Sequence, residues 1–88
     1  MNHLHTLAAF VADTPAADIP QAAIDRATLA LVDCIGTAIA GSPEPMSRIV
    51  ARHVERAGRG RSTVIGAGFR SRAADAALAN AAMGHALD

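Results

Sequence analysis

The sequence contains no lysine, tryptophan or tyrosine, and only one cysteine and two phenylalanines among its 88 residues. Without lysine, the chain cannot supply a Schiff-base amine or the phosphate-binding lysine of a nucleotide loop. Cys34 has no partner for an intramolecular disulfide, which is typical of a reducing compartment. Because Cys34 lies in an apolar helical pattern, we expect it to be buried and unreactive.

Charge of either sign is scarce and balanced. Eight arginines offset eight acidic residues, so the formal net charge is +0 at pH 7. No overall field attracts nucleic acid or an anionic membrane surface, and we expect neither as a partner. The N-terminus lacks the basic and apolar regions of a secretory signal peptide. The most apolar stretch, residues 29–40, contains Asp33 and is shorter than the ~20 residues of a membrane span. We therefore expect a cytoplasmic protein outside the membrane.

Apolar residues, in contrast, make up 51% of the chain, and alanine alone accounts for 22 of the 88 residues. This length predicts one unit over residues 1–88 with no internal boundary, which is either a small domain or a piece of a larger one. Alanine-rich segments favour helices.

Hydrophobic spacing predicts an all-α, mainly helical fold with one short extended segment. Pro15 and Pro20 separate the first two helices, because proline suits a helix start and disfavours helix at the preceding residue. Ser71 is suited to cap the last helix, and Asp75 in its first turn suits the helix dipole. The predicted helices cover residues 3–12, 20–40, 45–56 and the stretch after Ser71, with a strand at residues 62–66 and a turn at residues 67–70.

The second predicted helix carries two apolar faces, which implies neighbours on both sides. One face contains Ile24, Leu31, Ile35 and Ala38, and the other contains Leu29, Val32, Gly36 and Ala40. Glycine inside a helix costs ~1 kcal/mol relative to alanine, so Gly36 suggests that another backbone passes close to it. Gly41 is expected to end the helix in a left-handed conformation. Asp33 is expected to be buried and paired with Arg26, backbone donors or a distant basic group, with a catalytic role as the alternative.

The third and last helices are predicted to expose different surfaces. The third should bury an apolar face and turn its charges outward, either as a solvated face or as an anion site. The last should pack closely through a face of small side chains. These sets are Met46, Ile49, Val50 and Val54 (apolar), Arg48, Arg52, Glu55 and Arg56 (charged), and Ala74, Ala77, Leu78, Ala81 and Ala82 (small). Since alanine-lined helices gain little from burial, we expect material outside this sequence to cover the remaining apolar faces.

Candidate chemistry is concentrated in residues 80–88. His85 and Asp88 are three residues apart on a predicted helix, so they share a face and can approach each other. A carboxylate beside an imidazole fixes the ring's tautomer, as a general acid or base requires. By spacing alone, an ordinary cap or surface pair is the more common explanation. No metal site is expected, because the histidines and Cys34 show no ligand spacing beyond the terminal pair His3 and His5. No nucleophile elbow or phosphate-binding loop occurs.

Several segments follow one another in a characteristic order. They are LAAFV at residues 7–11, IP at 19–20, LVDCIG at 31–36, AG at 40–41, TVIG at 63–66, AALAN at 76–80 and GHALD at 84–88. In this order they resemble the beginning of the MmgE/PrpD family. That family includes 2-methylcitrate dehydratases and cis-aconitate decarboxylases, which act on small polycarboxylates without a metal or an iron–sulfur cluster. Its members are homodimers with a large helical domain and a smaller α/β domain. The resemblance implies that this chain is the N-terminal part of the large helical domain.

The resemblance also implies roles for individual residues. Asp88 matches the first Asp of a run that lines the active site in relatives, and His85 matches the His before it. Asp88 would then orient a catalytic basic group or the substrate, and His85 would support it. Asn80 matches an Asn that is often followed by Gly in the family, whereas Ala81 follows here. The family pattern continues with further Asp and His residues and a distant Lys.

Together these observations predict an N-terminal fragment or split subunit of a cofactor-independent lyase. Dehydration of a small polycarboxylate like 2-methylcitrate is the first expectation, with Asp88 and His85 as the catalytic residues. The chain is expected to be inactive alone and to associate with itself or with the missing remainder of the enzyme. A cis-aconitate decarboxylase- or epimerase-like reaction is the alternative within the family. Outside the family, the alternative is a non-catalytic helical interaction module.

Overall fold

The computed structural model of the chain describes residues 2–88 and is mainly helical, as predicted. The elements in chain order are α1 (His3–Asp13), a 3-10 turn (Ala16–Asp18), α2 (Gln21–Gly41), α3 (Pro45–Ala57), β1 (Ser62–Val64), β2 (Phe69–Ser71) and α4 (Ala73–His85). The bounds of the first three helices agree with the predicted ones to within one residue. They agree because proline and capping residues set helix ends locally.

The helix ends show these local causes directly. The side chain of Asn2 caps α1 by accepting a hydrogen bond of 2.7 Å from the backbone N–H of His5. At the other end, the backbone N–H of Thr14 donates to the carbonyl oxygen of Phe10, and Pro15 follows. Pro45 occupies the first turn of α3, where the missing N–H leaves no hydrogen bond unmade.

The chain divides into two compact units, one ending at Ala30 and the other covering Leu31–Asp88. None of residues 2–30 is buried. The buried apolar residues all belong to the second unit: Ala38, Ala51, Val54, Val64, Ala76, Ala79 and Met83. The core is therefore small and sits where α3, α4 and the hairpin meet.

The predicted turn at residues 67–70 is confirmed at Ala67 and Gly68 and wrong at Phe69 and Arg70, which belong to a second strand. β2 pairs antiparallel with β1, and Val64 lies opposite Phe69. Gly66 and Gly68 have φ of 76° and 78°, a region that glycine adopts without steric cost, so the chain reverses before Phe69. A three-residue strand is too short to show alternation in sequence, which is why the pattern missed it.

Ser71 also has a different role from the predicted one. The residue at the N-cap position of α4 is Arg72, with no side-chain cap. Ser71 is buried in β2, and its hydroxyl donates to the carbonyl oxygen of Gly58 at 3.1 Å. Arg72 bonds Asp75 in the first turn of α4 at 3.2 Å and donates to the carbonyl oxygen of Ala57. Ser71 and Arg72 thus connect the start of α4 to the end of α3 through hydrogen bonds.

The buried faces of α3 and α4 differ from the predicted faces. In α3 the buried residues are Ser47, Ala51 and Val54, whereas Met46 and Ile49 are exposed. Ser47 is buried because its hydroxyl donates to the carbonyl oxygen of Gly41 at 2.7 Å. The charged side chains of α3 are exposed, as predicted.

In α4 the buried face consists of Ala76, Ala79 and Met83. The predicted small-residue face is exposed at Ala74, Ala77, Leu78 and Ala81 and half-buried at Ala82. An alanine-rich helix carries small side chains all round, so its sequence does not indicate which face a neighbour covers.

The close approach predicted at Gly36 occurs instead at Gly41. Nothing lies within 4 Å of a Cβ placed on Gly36, whereas a Cβ on Gly41 would overlap the carbonyl oxygen of Met83. Gly41 is buried as the last residue of α2, and it is not in the left-handed conformation that was predicted. Glycine is therefore needed at this position for close packing against α4.

Two further predictions for α2 are wrong. Asp33 and Cys34 are both exposed, and Asp33 has no ion pair within residues 2–88. Among the described residues, α2 buries only Ala38 and Gly41, both near its C-terminal end. Among residues 2–88, no helix combines the length and the hydropathy that a membrane crossing requires.

The two glycines of α2 provide a matched test of this packing. Gly41→Ala should destabilise the chain by roughly 3 kcal/mol, the upper end for overpacking, because its methyl group meets the Met83 backbone. Gly36→Ala should stabilise it by about 0.5–1 kcal/mol, because the site is open and alanine favours helix. Urea unfolding followed by circular dichroism measures both changes. Equal stability of the two variants would contradict the packing at Gly41.

Candidate functional site

His85 and Asp88 form the contact that their spacing predicted. His85 is the last residue of α4, and its Nδ1 lies 2.9 Å from Oδ2 of Asp88. The backbone N–H of Asp88 also donates to the carbonyl oxygen of His85 at 3.1 Å. The chain therefore turns back on the helix end and holds the carboxylate against one nitrogen of the ring.

The packing on either side of His85 positions this pair. Met83 is 1% exposed and is among the largest fully buried side chains. Its carbonyl lies against Gly41, and Ala86 is half-buried beside the same glycine. The end of α4 is thereby anchored to the end of α2, which restricts where the imidazole and the carboxylate can lie.

The pair itself is open to solvent. The side chains of His85 and Asp88 are 78% and 71% exposed. Contact with the carboxylate selects the tautomer of the ring and leaves Nε2 available to a proton donor or acceptor. Exposed pairs interact weakly because water competes for both groups. The arrangement can orient a ring for proton transfer, but a catalytic pocket needs walls that exclude water.

Asn80 has a structural role that the sequence reasoning did not identify. Its side-chain oxygen accepts a hydrogen bond from the backbone N–H of Ile65 at 2.8 Å, and its amide nitrogen donates to the carbonyl oxygen of Thr63 at 3.0 Å. Both groups of the amide are therefore bonded to the backbone of β1 and the residue after it. Asn80 and Ala81 lie inside α4, so the replacement of the family's usual Gly by Ala falls within a helix and not in a loop.

The other chemical groups considered in the sequence do not assemble into a site. Cys34 and Asp33 lie exposed on α2. Within residues 2–88, no group of three His, Cys, Asp or Glu side chains is placed to hold a metal ion. His85 and Asp88 are the candidate residues that the structure brings together.

A match to a protein-family model shows which family the chain belongs to. The model of the MmgE/PrpD N-terminal domain matches residues 5–88. The chain belongs to the MmgE/PrpD family. This match confirms the resemblance on which the sequence-based expectations depended, and it includes His85, Asp88 and Asn80. Comparisons with curated proteins and with solved structures gave no significant match.

The match also identifies the fold. The mainly helical fold is that of an MmgE/PrpD N-terminal domain. The His85–Asp88 contact lies directly after α4, the helix that Asn80 joins to the hairpin. Asn80 thus fixes the helix that presents the candidate pair.

Substitution of Asn80 tests this link between the hairpin and α4. Asn80→Ala should lower the free energy of unfolding by about 1–3 kcal/mol, because it leaves the backbone groups of Ile65 and Thr63 without partners. Asn80→Asp keeps the acceptor but loses the donor, so it should also destabilise. Chemical denaturation measures both. As the control on the same helix, Leu78→Ala should change the stability by less than about 0.5 kcal/mol, since Leu78 is exposed. A loss at Leu78 equal to that at Asn80 would contradict the assignment.

Proposed function

We propose that this MmgE/PrpD domain contributes one edge of the active site of a lyase that acts on small polycarboxylates. Dehydration of a 2-methylcitrate-like acid is the reaction that we place first. Asp88 orients the substrate or a catalytic basic group, and His85 supports Asp88. The observation that carries the proposal is the 2.9 Å contact between His85 and Asp88, within the region that matches the family.

The chemistry requires more than this pair. Dehydration removes a proton beside a carboxylate and expels hydroxide, so negative charge develops on a substrate that already carries several carboxylates. Cationic donors must converge on that charge. The chain has no lysine, and residues near the end of α4 supply only an imidazole as a cation. We infer that the remaining donors come from a further polypeptide segment or from a partner chain.

The apolar surface supports association in the same way. Within residues 2–88, fifteen large apolar side chains are exposed, among them Leu4, Leu31, Val32 and Leu87. In the first unit, Phe10, Val11, Ile19 and other residues line an open hollow of about 830 Å³. Contiguous apolar surface of this kind is typical of interfaces. We propose that another part of the enzyme or a second copy covers it.

We keep two alternatives to this function. A decarboxylase or epimerase of a similar acid would need the same proton-transfer pair and differs only in groups beyond it. A non-catalytic helical interaction module is favoured by the exposed apolar faces and by the 78% exposure of His85. For either function we propose a cytoplasmic location, because the lone Cys34 is exposed and unpaired, as in a reducing compartment.

Reconstitution tests the proposed activity. The chain alone should not dehydrate 2-methylcitrate. Mixed with a polypeptide that carries the later part of an MmgE/PrpD enzyme, including its lysine, it should form the unsaturated acid, which ultraviolet absorbance detects. In that mixture Asp88→Asn should lower kcat by at least about 100-fold, the usual contribution of one group to proton transfer.

The control for this variant is Asp75→Asn. It makes the same change of charge at the other end of α4, where it removes a partly exposed pair with Arg72 and a favourable charge in the first turn of the helix. Asp75→Asn should therefore leave the reconstituted activity within about twofold of the original. Turnover by the chain alone would contradict the shared site. Association with the second polypeptide, with turnover indifferent to Asp88→Asn, would support the interaction module.

Sedimentation velocity tests the proposed role of the apolar faces. The isolated chain should self-associate as its concentration rises, since association removes the fifteen exposed apolar side chains from water. Leu31→Gln with Val32→Gln should weaken this association. A chain that stays monomeric throughout the accessible concentration range would contradict the proposal.

A further inference from the structure

The neutral net charge conceals a strongly uneven distribution of charge along the chain. Seven of the eight arginines lie between residues 48 and 72, where Glu55 is the one acidic residue. This segment comprises most of α3, the hairpin and the start of α4. Of these seven arginines, only Arg72 forms an ion pair within the described residues 2–88. The segment is therefore a basic surface whose charges are mostly not neutralised by the chain itself.

Four of these arginines line two neighbouring cavities. The first, of about 400 Å³, lies between α3 and the hairpin turn and is lined by Arg48, Arg52, Glu55 and Phe69, among others. The second, of about 440 Å³, is lined by Arg59 and Arg70 and also by Glu55 and Phe69. Glu55 and Phe69 line both cavities, so the two lie side by side, and we call them together the arginine cleft.

The geometry of α3 places two guanidinium groups on the same wall of this cleft. Arg48 and Arg52 are one helical turn apart, so their side chains emerge about 5–6 Å from each other. Like charges at this spacing repel, and no acidic side chain of residues 2–88 lies within ion-pair distance of either. An anion bound between them would relieve this repulsion. Guanidinium groups bind planar oxyanions through two parallel hydrogen bonds, which a carboxylate or a phosphate accepts.

We propose that the arginine cleft binds a small multivalent oxyanion, either a polycarboxylate or a phosphate. A cleft with four cations and one carboxylate favours a ligand with two or more negative charges over a monocarboxylate. The volume of each cavity suits a small molecule. Nucleic acid is disfavoured, since Phe69 is the one aromatic residue of the cleft and is half-buried, which leaves no platform for stacked bases.

Glu55 sets the selectivity of the cleft. Glu55 lines both cavities, where its negative charge repels an incoming anion. Its removal should therefore tighten anion binding. This expectation separates a defined cleft from a diffuse basic surface, on which no single acidic residue would matter so much. The lining residues include neither His85 nor Asp88, so the proposal does not depend on the proposed lyase activity.

Arginine-directed chemical modification tests the cleft in the unaltered chain. Phenylglyoxal reacts with guanidinium groups, and the absence of lysine keeps its labelling pattern simple. At constant ionic strength, citrate should slow the modification of Arg48, Arg52, Arg59 and Arg70 by about threefold or more, as one exposed ion pair per site would. Arg26, Arg56 and Arg61 should react at unchanged rates. Inorganic phosphate in a parallel arm shows which oxyanion the cleft prefers, and acetate should protect none.

Equilibrium dialysis with radiolabelled citrate gives the second measurement. Arg48→Gln with Arg52→Gln should weaken binding about tenfold, whereas Arg56→Gln with Arg61→Gln removes two charges outside the cleft and should weaken it less than about twofold. Glu55→Gln should tighten binding about threefold. Circular dichroism confirms that each variant is folded.

Three outcomes would overturn the proposal. One is uniform protection of all arginines or equal losses in the two double variants, since both would indicate a diffuse field. The second is the absence of saturable citrate and phosphate binding. The third is salt-dependent self-association that protects the cleft arginines without any added anion, because the occupant would then be the acidic part of a second copy.

Discussion

The close contact between the ends of α2 and α4 is the interaction on which the candidate site depends. Gly41 lies against the carbonyl of Met83, and a side chain on that glycine would occupy the same space. Met83 in turn fills the small core, two residues before His85. Backbone packing of this kind is rigid because neither partner has a rotamer with which to move away. This contact therefore positions the backbone at the end of α4, where His85 lies, although neither His85 nor Asp88 takes part in it.

A second constraint is the shortage of buried apolar surface. The core contains seven buried apolar residues, four of which are alanines, and none of residues 2–30 is buried. Burial of such small side chains contributes little against the entropy lost on folding. Burial of the exposed leucine, isoleucine and valine side chains would add further stability. The partner that covers these side chains would stabilise the fold and also complete a polycarboxylate site. We therefore expect stability, association and activity to be linked.

The acidic and basic residues are separated along the chain. The acidic residues lie mostly in the first 45 positions, and the arginines are concentrated on α3, the hairpin and the start of α4. Balanced totals exclude a long-range field but not a local one, because screening limits each charge to about 10 Å. The arginine cleft and the His85–Asp88 pair therefore represent two chemically different surfaces of one domain, one cationic and one suited to proton transfer.

Sequence by itself determined the features that depend on neighbours along the chain. Prolines and caps set the ends of α1, α2 and α3. The spacing of His85 and Asp88 also predicted their contact, although α4 ends at His85 and it is the turn after the helix that brings Asp88 back to the ring. Tertiary structure alone decided which faces are buried. Alanine on every side of α4 gave no preferred face, so Ala76, Ala79 and Met83 were selected by the hairpin and α3. The same reason explains Gly36 and Gly41, since the sequence of α2 does not show which of the two glycines a distant backbone approaches.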